Sequence, residues 1–99
     1  MLVHNVYFWL KSYISEEDKK LFDEKVRTLI TIPSVKQGFV GTPAATEKRS
    51  VIDDSFDYSL TTIFESHEDQ NIYQIHDIHT EFISLCSHMW DRHIVYDAD

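Results

Sequence analysis

The chain has one cysteine, two glycines and two prolines in 99 residues, and each scarcity excludes something. A lone cysteine, Cys86, rules out an intrachain disulfide. Its setting in ISLCSHMW, a mostly apolar helical stretch, reads as a small core residue rather than a nucleophile. So few glycines and prolines, with no repeat and no low-complexity run, exclude a disordered chain. Basic residues are nearly missing from the second half. Residues 51–99 hold Arg92 alone against eleven Asp and Glu, whereas residues 1–50 hold eight Lys and Arg against six acids. A phosphate-binding surface needs clustered cations, so nucleic acid is not expected as a partner. Long apolar runs are also lacking. The N-terminal MLVHNVYFWLK is too short to span a bilayer, is interrupted by His4 and Asn5, and has neither a basic leader nor a small-residue cleavage site. No membrane partner is expected, and a cytoplasmic location is the default.

What the chain does have is apolar and aromatic mass. Hydrophobic residues make up 42% of it and aromatic ones 13%. A monomer of this size buries only about 65% of the surface its unfolded chain exposes, so the surplus points to apolar surface covered by a second copy. Residues 1–99 are expected to form a single domain. The first segment, LVHNVYFWLK (2–11), is dense in β-branched and aromatic residues and reads as a strand. Leu2, Val6, Phe8 and Leu10 share one face with His4, while Val3, Tyr7 and Trp9 share the other with Asn5. Both faces are apolar, so both need cover: helices on one, a partner's sheet on the other.

SEED (15–18) has the chemistry of a helix start, with Ser15 as N-cap and Asp18 at the third position of a capping box. Leu21, Phe22, Val26, Leu29 and Ile30 then recur at helical spacing, and Pro33 stops the helix near Thr31 or Ile32. A short strand near 36–42 precedes an irregular polar loop, and FDYSLTTIFE (56–65) alternates as a strand. SHED (66–69) repeats the capping chemistry and opens a short helix through Tyr73. TEFISLCSHMW (80–90) is a second helical piece, and RHIVYD (92–97) closes the chain as a strand. The fold class is therefore α+β, a ferredoxin-like β-α-β-β-α-β order with a four-stranded antiparallel sheet. Its bare face can close against a second copy to make a dimeric α/β barrel.

The stretch YQIHDIH (73–79) concentrates the chemistry. On an uninterrupted helix Tyr73 and His79 would lie about 120° apart, so they share a site only if the helix breaks between Ile75 and Ile78. Histidine or Asp77 side chains would then cap the freed backbone groups, a structural role for His76 and Asp77. Five of the six histidines lie in the acidic half, where carboxylates favour the imidazolium form. His79 is the candidate general base and Tyr73 the candidate hydrogen-bond donor to a developing enolate. His4, on the apolar face of the first strand, either orients a substrate or is a satisfied core or interface histidine. Tyr58 and Trp90 read as core or pocket wall. His76-x-x-His79 with Asp77 and Glu81 sketches part of a metal site, yet the spacing fixes no third ligand, and no metal is expected. His67, His88 and His93 read as solvated or edge residues.

Taken together, HNVYFWLK, IPSV, DYSLTTIFES, YQIHDIHTEF and the closing W-x-x-x-x-VYD (90–97) resemble the stress-responsive α/β-barrel (Dabb) family, within the dimeric α/β-barrel superfamily. The resemblance runs nearly end to end and implies a homodimer with a shared barrel. It is similar to a plant member of the family that cyclises a linear polyketide without cofactor or metal. That likeness implies catalytic roles for Tyr73 and His79 and pocket positions for His4 and Tyr58, the latter replacing a histidine. Asp77 stands where family members often have proline. Related barrels acting as monooxygenases imply that the scaffold hosts other cofactor-free chemistry. The expected function is a homodimer that binds a small, partly apolar organic molecule, with cofactor-free cyclisation or isomerisation as its chemistry. The rival is a non-catalytic binding or stress-protective protein whose histidines only pack or cap.

Overall fold

The computed structural model describes residues 1–99, and its elements follow from local sequence chemistry. β1 (Leu2–Leu10) buries Leu2, His4, Val6 and Phe8 and leaves Val3, Asn5, Tyr7 and Trp9 half-buried on the other side, as the two-residue alternation requires. α1 (Glu16–Thr28) starts where Ser15 accepts a hydrogen bond from the Asp18 amide at 3.1 Å. Glu16, Glu17 and Asp18 crowd the positive end of its dipole. A single 3₁₀ turn, Leu29–Thr31, completes it before Pro33. β2 (Gln37–Gly41) and β3 (Tyr58–Phe64) follow, separated by a long polar loop.

The second helical region is two helices, α2 (His67–Ile75) and α3 (Asp77–Cys86), with His76 between them. His76 is extended, at φ −65° and ψ 145°, and its Nδ1 accepts a hydrogen bond from the Ile78 amide at 3.1 Å. The expected break thus falls at a capping histidine. β4 (Trp90–Ala98) closes the sheet after a 3₁₀ turn, Ser87–Met89. Two boundaries differ from the sequence reading. Trp90 begins the last strand instead of ending a helix, because Met89 accepts a hydrogen bond from the Lys11 amide at 2.8 Å and Trp90 pairs with Leu10. β3 begins at Tyr58, two residues late, because the Asp57 carboxylate accepts from the Leu10 amide at 2.7 Å and its own amide donates to Phe8.

The sheet order is β2-β3-β1-β4 with every pairing antiparallel, a ferredoxin-like arrangement. Its core lies between one sheet face and the helices. Phe22 and Val26 of α1, Tyr73 of α2, and Phe82 and Cys86 of α3 pack on Leu2, Val6, Phe8, Leu60 and Phe64. Burial pushes the Cys86 thiol up to about 11, so it stays protonated at neutral pH. The opposite face carries no helix. There Tyr7 sits against Phe56 and Tyr96, with ring centroids 5.1 and 6.3 Å apart, and Arg92 stacks over Trp9 at 4.1 Å. No helix is long and apolar enough to cross a membrane.

Candidate functional site

The break at His76 turns α3 so that Tyr73, at the end of α2, and His79, in the first turns of α3, face each other. Their ring centroids are 4.9 Å apart, edge to face. His4 reaches the same place from the centre of β1, with its ring 6.0 Å from Tyr73, again edge to face. These three side chains line one pocket of about 140 Å³ between the sheet and α3. Its apolar wall comes from Val6, Phe8, Leu60, Phe82 and Trp90, with Phe82 and Trp90 stacked at 5.6 Å.

Each polar group at this pocket has a distinct electrostatic setting. His4 is 4% exposed, and its Nδ1 is hydrogen-bonded to the Asp97 carboxylate on the adjoining edge strand. His4 and Asp97 are direct partners in the β1–β4 register, so both side chains emerge on the helix-covered face. Burial pushes the Tyr73 phenol well above its ordinary range, which keeps it a donor at any physiological pH. Its hydroxyl has no partner within the chain. The one fully sealed polar side-chain atom without a partner is Ser34 Oγ, so the Tyr73 hydroxyl opens onto free space. Burial, and secondarily the charge of His4, hold His79 below its ordinary value of 6.5. A neutral imidazole with no protein partner is thus set beside a protonated phenol with none. Such a pair can take a proton from carbon or oxygen on one side and stabilise negative charge on the other.

The structure brings together four of the five residues singled out from the sequence: Tyr73, His79, His4 and Trp90. Tyr58 stands apart. Its ring packs on Phe22 at 5.0 Å and its hydroxyl donates to Asp23 at 2.6 Å, so α1 occupies the side chain that was expected to face the pocket. Burial and the Asp23 hydrogen bond push Tyr58 up to about 12. The pocket also has members that sequence reasoning passed over: Gln74, Ile83, His93 and Val95. His93 is exposed on the edge strand, as expected, but its ring also lies 5.6 Å from Trp90. A signal for this was present, since 93, 95 and 97 share a face by strand alternation once the strand is placed against β1. His67 pairs with Asp99 at 2.7 Å and His88 lies 3.6 Å from Asp18, both on the surface. No group of three or more His, Cys, Asp or Glu side chains is gathered for a metal ion, and His76 Nδ1 is occupied as a cap.

This sheet order and helix placement define a ferredoxin-like α+β protein, and comparison with known proteins carries the assignment further. The family described as Stress responsive A/B Barrel Domain (Dabb) matches residues 2–99. The chain belongs to that family. Among solved structures it is similar to the hydroxynitrile lyase from Passiflora edulis, at 20% identity and a TM-score of 0.77, covering 98% of this chain and 90% of that one. It is also similar to a Dabb family protein from Mesorhizobium loti, at 18% identity and a TM-score of 0.75, covering 99% and 94%. A dimeric ferredoxin-like protein of unknown function from Thermobifida fusca matches at 13% identity and a TM-score of 0.77, covering 98% and 88%. No curated protein sequence matches the chain.

Proposed function

We propose that this protein is a homodimer that binds a small organic molecule in the pocket between its sheet and α3 and performs cofactor-free proton-transfer chemistry there. The observation that carries the reading is the contact of Tyr73 with His79 at 4.9 Å on the wall of one pocket, neither polar group being engaged by the rest of the chain. A carbonyl compound lying against both would have its oxygen beside the Tyr73 hydroxyl and its α-carbon beside the His79 ring. The C–H bond breaks, its proton passes to a ring nitrogen of His79, and its electron pair forms the C=C bond of an enolate. The carbonyl π pair moves to oxygen, which accepts a hydrogen bond from Tyr73. Return of the proton to the other face of that carbon gives isomerisation. Attack of that carbon on a second carbonyl of the same molecule, whose π pair moves to its oxygen and takes the proton from His79, gives cyclisation. That the Passiflora neighbour is a lyase supports an enzymatic use of this fold.

The homodimer rests on the uncovered sheet face. Phe39 and Tyr96 are 66% and 61% exposed there, alongside Val3, Tyr7, Trp9, Ile63 and Ile94. A sheet face with this much exposed aromatic and aliphatic surface, interrupted by the Asn5–Thr61 pair, is what a second copy would cover. The Thermobifida neighbour, described as dimeric, supports this assembly. A thermal-shift screen of small carbonyl compounds, run on wild type and His79→Ala, tests the reading. Stabilising compounds are expected to lose their effect in the variant. A compound that stabilises both equally moves the site elsewhere.

A further inference from the structure

We infer that the ligand is an uncharged carbonyl compound with a single small ring or a comparable short apolar body, admitted between Ile83 and Val95. The inference rests on the proposed function for the location of the site and adds the class of molecule that fits it. Three observations carry it. The first is size. At about 140 Å³ the pocket matches a cavity of about 150 Å³ known to accept benzene and lies below the ~300 Å³ at which drug-sized pockets begin.

The second is charge. None of the thirteen lining residues is Lys, Arg, Asp or Glu. The Asp97 carboxylate is already hydrogen-bonded to His4. His4, whose charge reaches His79, is thereby paired, so a carboxylate or phosphate on the ligand would lose its water and find no free Lys or Arg, a large cost in an apolar pocket. Among the lining side chains, the Tyr73 hydroxyl, the His79 ring and the Gln74 amide can hydrogen-bond a ligand, with the His93 ring at the exposed edge; the first two suit one carbonyl oxygen and the carbon beside it.

The third is the entrance. Ile83 and Val95 are 40% and 44% exposed, although both line the pocket. Ile83 is on α3 and Val95 on β4, the edge strand, so the pocket opens between that helix and the free edge of the sheet. Two apolar side chains with one side in water and the other in a pocket form its lips. They set the width of what enters and are its specificity-determining residues.

The test uses three probes that share an aryl methyl ketone: acetophenone, the wider 2-acetonaphthone and the anionic 4-acetylbenzoate. Dissociation constants are measured by titration calorimetry for wild type, Ile83→Ala, Ile83→Trp and Val95→Trp. Acetophenone is expected to bind wild type at least tenfold more tightly than either other probe. Ile83→Ala should bring 2-acetonaphthone to within threefold of acetophenone, and each tryptophan variant should abolish binding. The lips are partly exposed, so either tryptophan is tolerated by the fold, and the two variants check one another. If 4-acetylbenzoate or 2-acetonaphthone binds wild type as well as acetophenone does, and the tryptophan variants still block all three, the class inferred here is wrong while the site stands. If acetophenone binds wild type and both tryptophan variants equally, the site itself is wrong. Binding by none of the three probes also overturns the inference.

Discussion

Replacing Tyr73 by phenylalanine separates the two roles this side chain could have. The ring is 1% exposed and packs against Phe64, His4 and His79, with centroid distances of 5.2, 6.0 and 4.9 Å. All of those contacts survive in Tyr73→Phe, and the lost oxygen has no partner within the chain to strand. A hydroxyl that does hold a buried hydrogen bond is worth about 1 kcal/mol. Here the change in stability should stay within about 0.5 kcal/mol, roughly 2–4 °C in melting temperature for a domain of this size. Tyr73→Ala instead removes a buried ring from the core and should cost about 3–5 kcal/mol, as large-to-small aromatic changes do. Function should respond in the opposite order of economy. Loss of a donor to a developing oxyanion typically lowers turnover by about 10²–10³. Calorimetric melting of both variants, followed by α-proton exchange of acetophenone in deuterated buffer, reads the two quantities. A Tyr73→Phe protein that melts more than about 8 °C lower would refute the reasoning. So would one that exchanges the ketone at the wild-type rate.

Four further outcomes follow from the same structure. His76→Ala removes the acceptor for the Ile78 amide and should cost about 1 kcal/mol by chemical denaturation, with His76→Asn recovering most of it. Gly38→Ala places a Cβ within 2.5 Å of Ile30 Cγ2, and overpacking of this kind should cost about 1–3 kcal/mol, measured the same way. Tyr96→Glu puts a charge on the uncovered sheet face at an exposed position. Sedimentation should find a folded monomer in place of a dimer, and an unchanged dimer would place the interface elsewhere. The pH dependence has a definite sign. His79 in the folded protein titrates below 6.5, so the unfolded chain binds the proton first as pH falls. The contribution of His79 to stability is complete above 6.5, declines between 6.5 and the lower folded value, and levels off beneath that. Its neutral form persists over the same interval, so exchange activity should hold as pH drops through 6.5. A rate that halves at 6.5 would contradict the setting described for this imidazole.

Much of this was legible in the residues because it rests on local periodicity. The alternation groups Leu2, His4, Val6 and Phe8 on one face of β1, and the structure buries all four. Which face takes the helices was not legible, because Val3, Tyr7 and Trp9 make the other face apolar too. The conflict between even three-residue spacing and helical geometry in YQIHDIH located the break between α2 and α3, and with it the meeting of Tyr73 and His79. Where the reading differed, long-range contacts decide. Tyr58 faces the helix layer as strand alternation requires, but Asp23, 35 positions away, offers its hydroxyl a 2.6 Å partner. Ile83, His93 and Val95 become pocket residues only through the packing of α3 beside an edge strand, a juxtaposition no local pattern encodes. The Asp97 partner of His4 is 93 positions away and depends on the β1–β4 register alone.

The central claim is that Tyr73 and His79 act together on a ligand in one pocket. Deuterium exchange at the methyl group of acetophenone, followed by proton NMR with wild type and His79→Ala under identical conditions, tests it most directly. The account predicts exchange well above the buffer rate for wild type and a fall of about 10²–10⁴ toward that rate in the variant. Equal exchange by the two proteins, or none above buffer by the wild type, would contradict it.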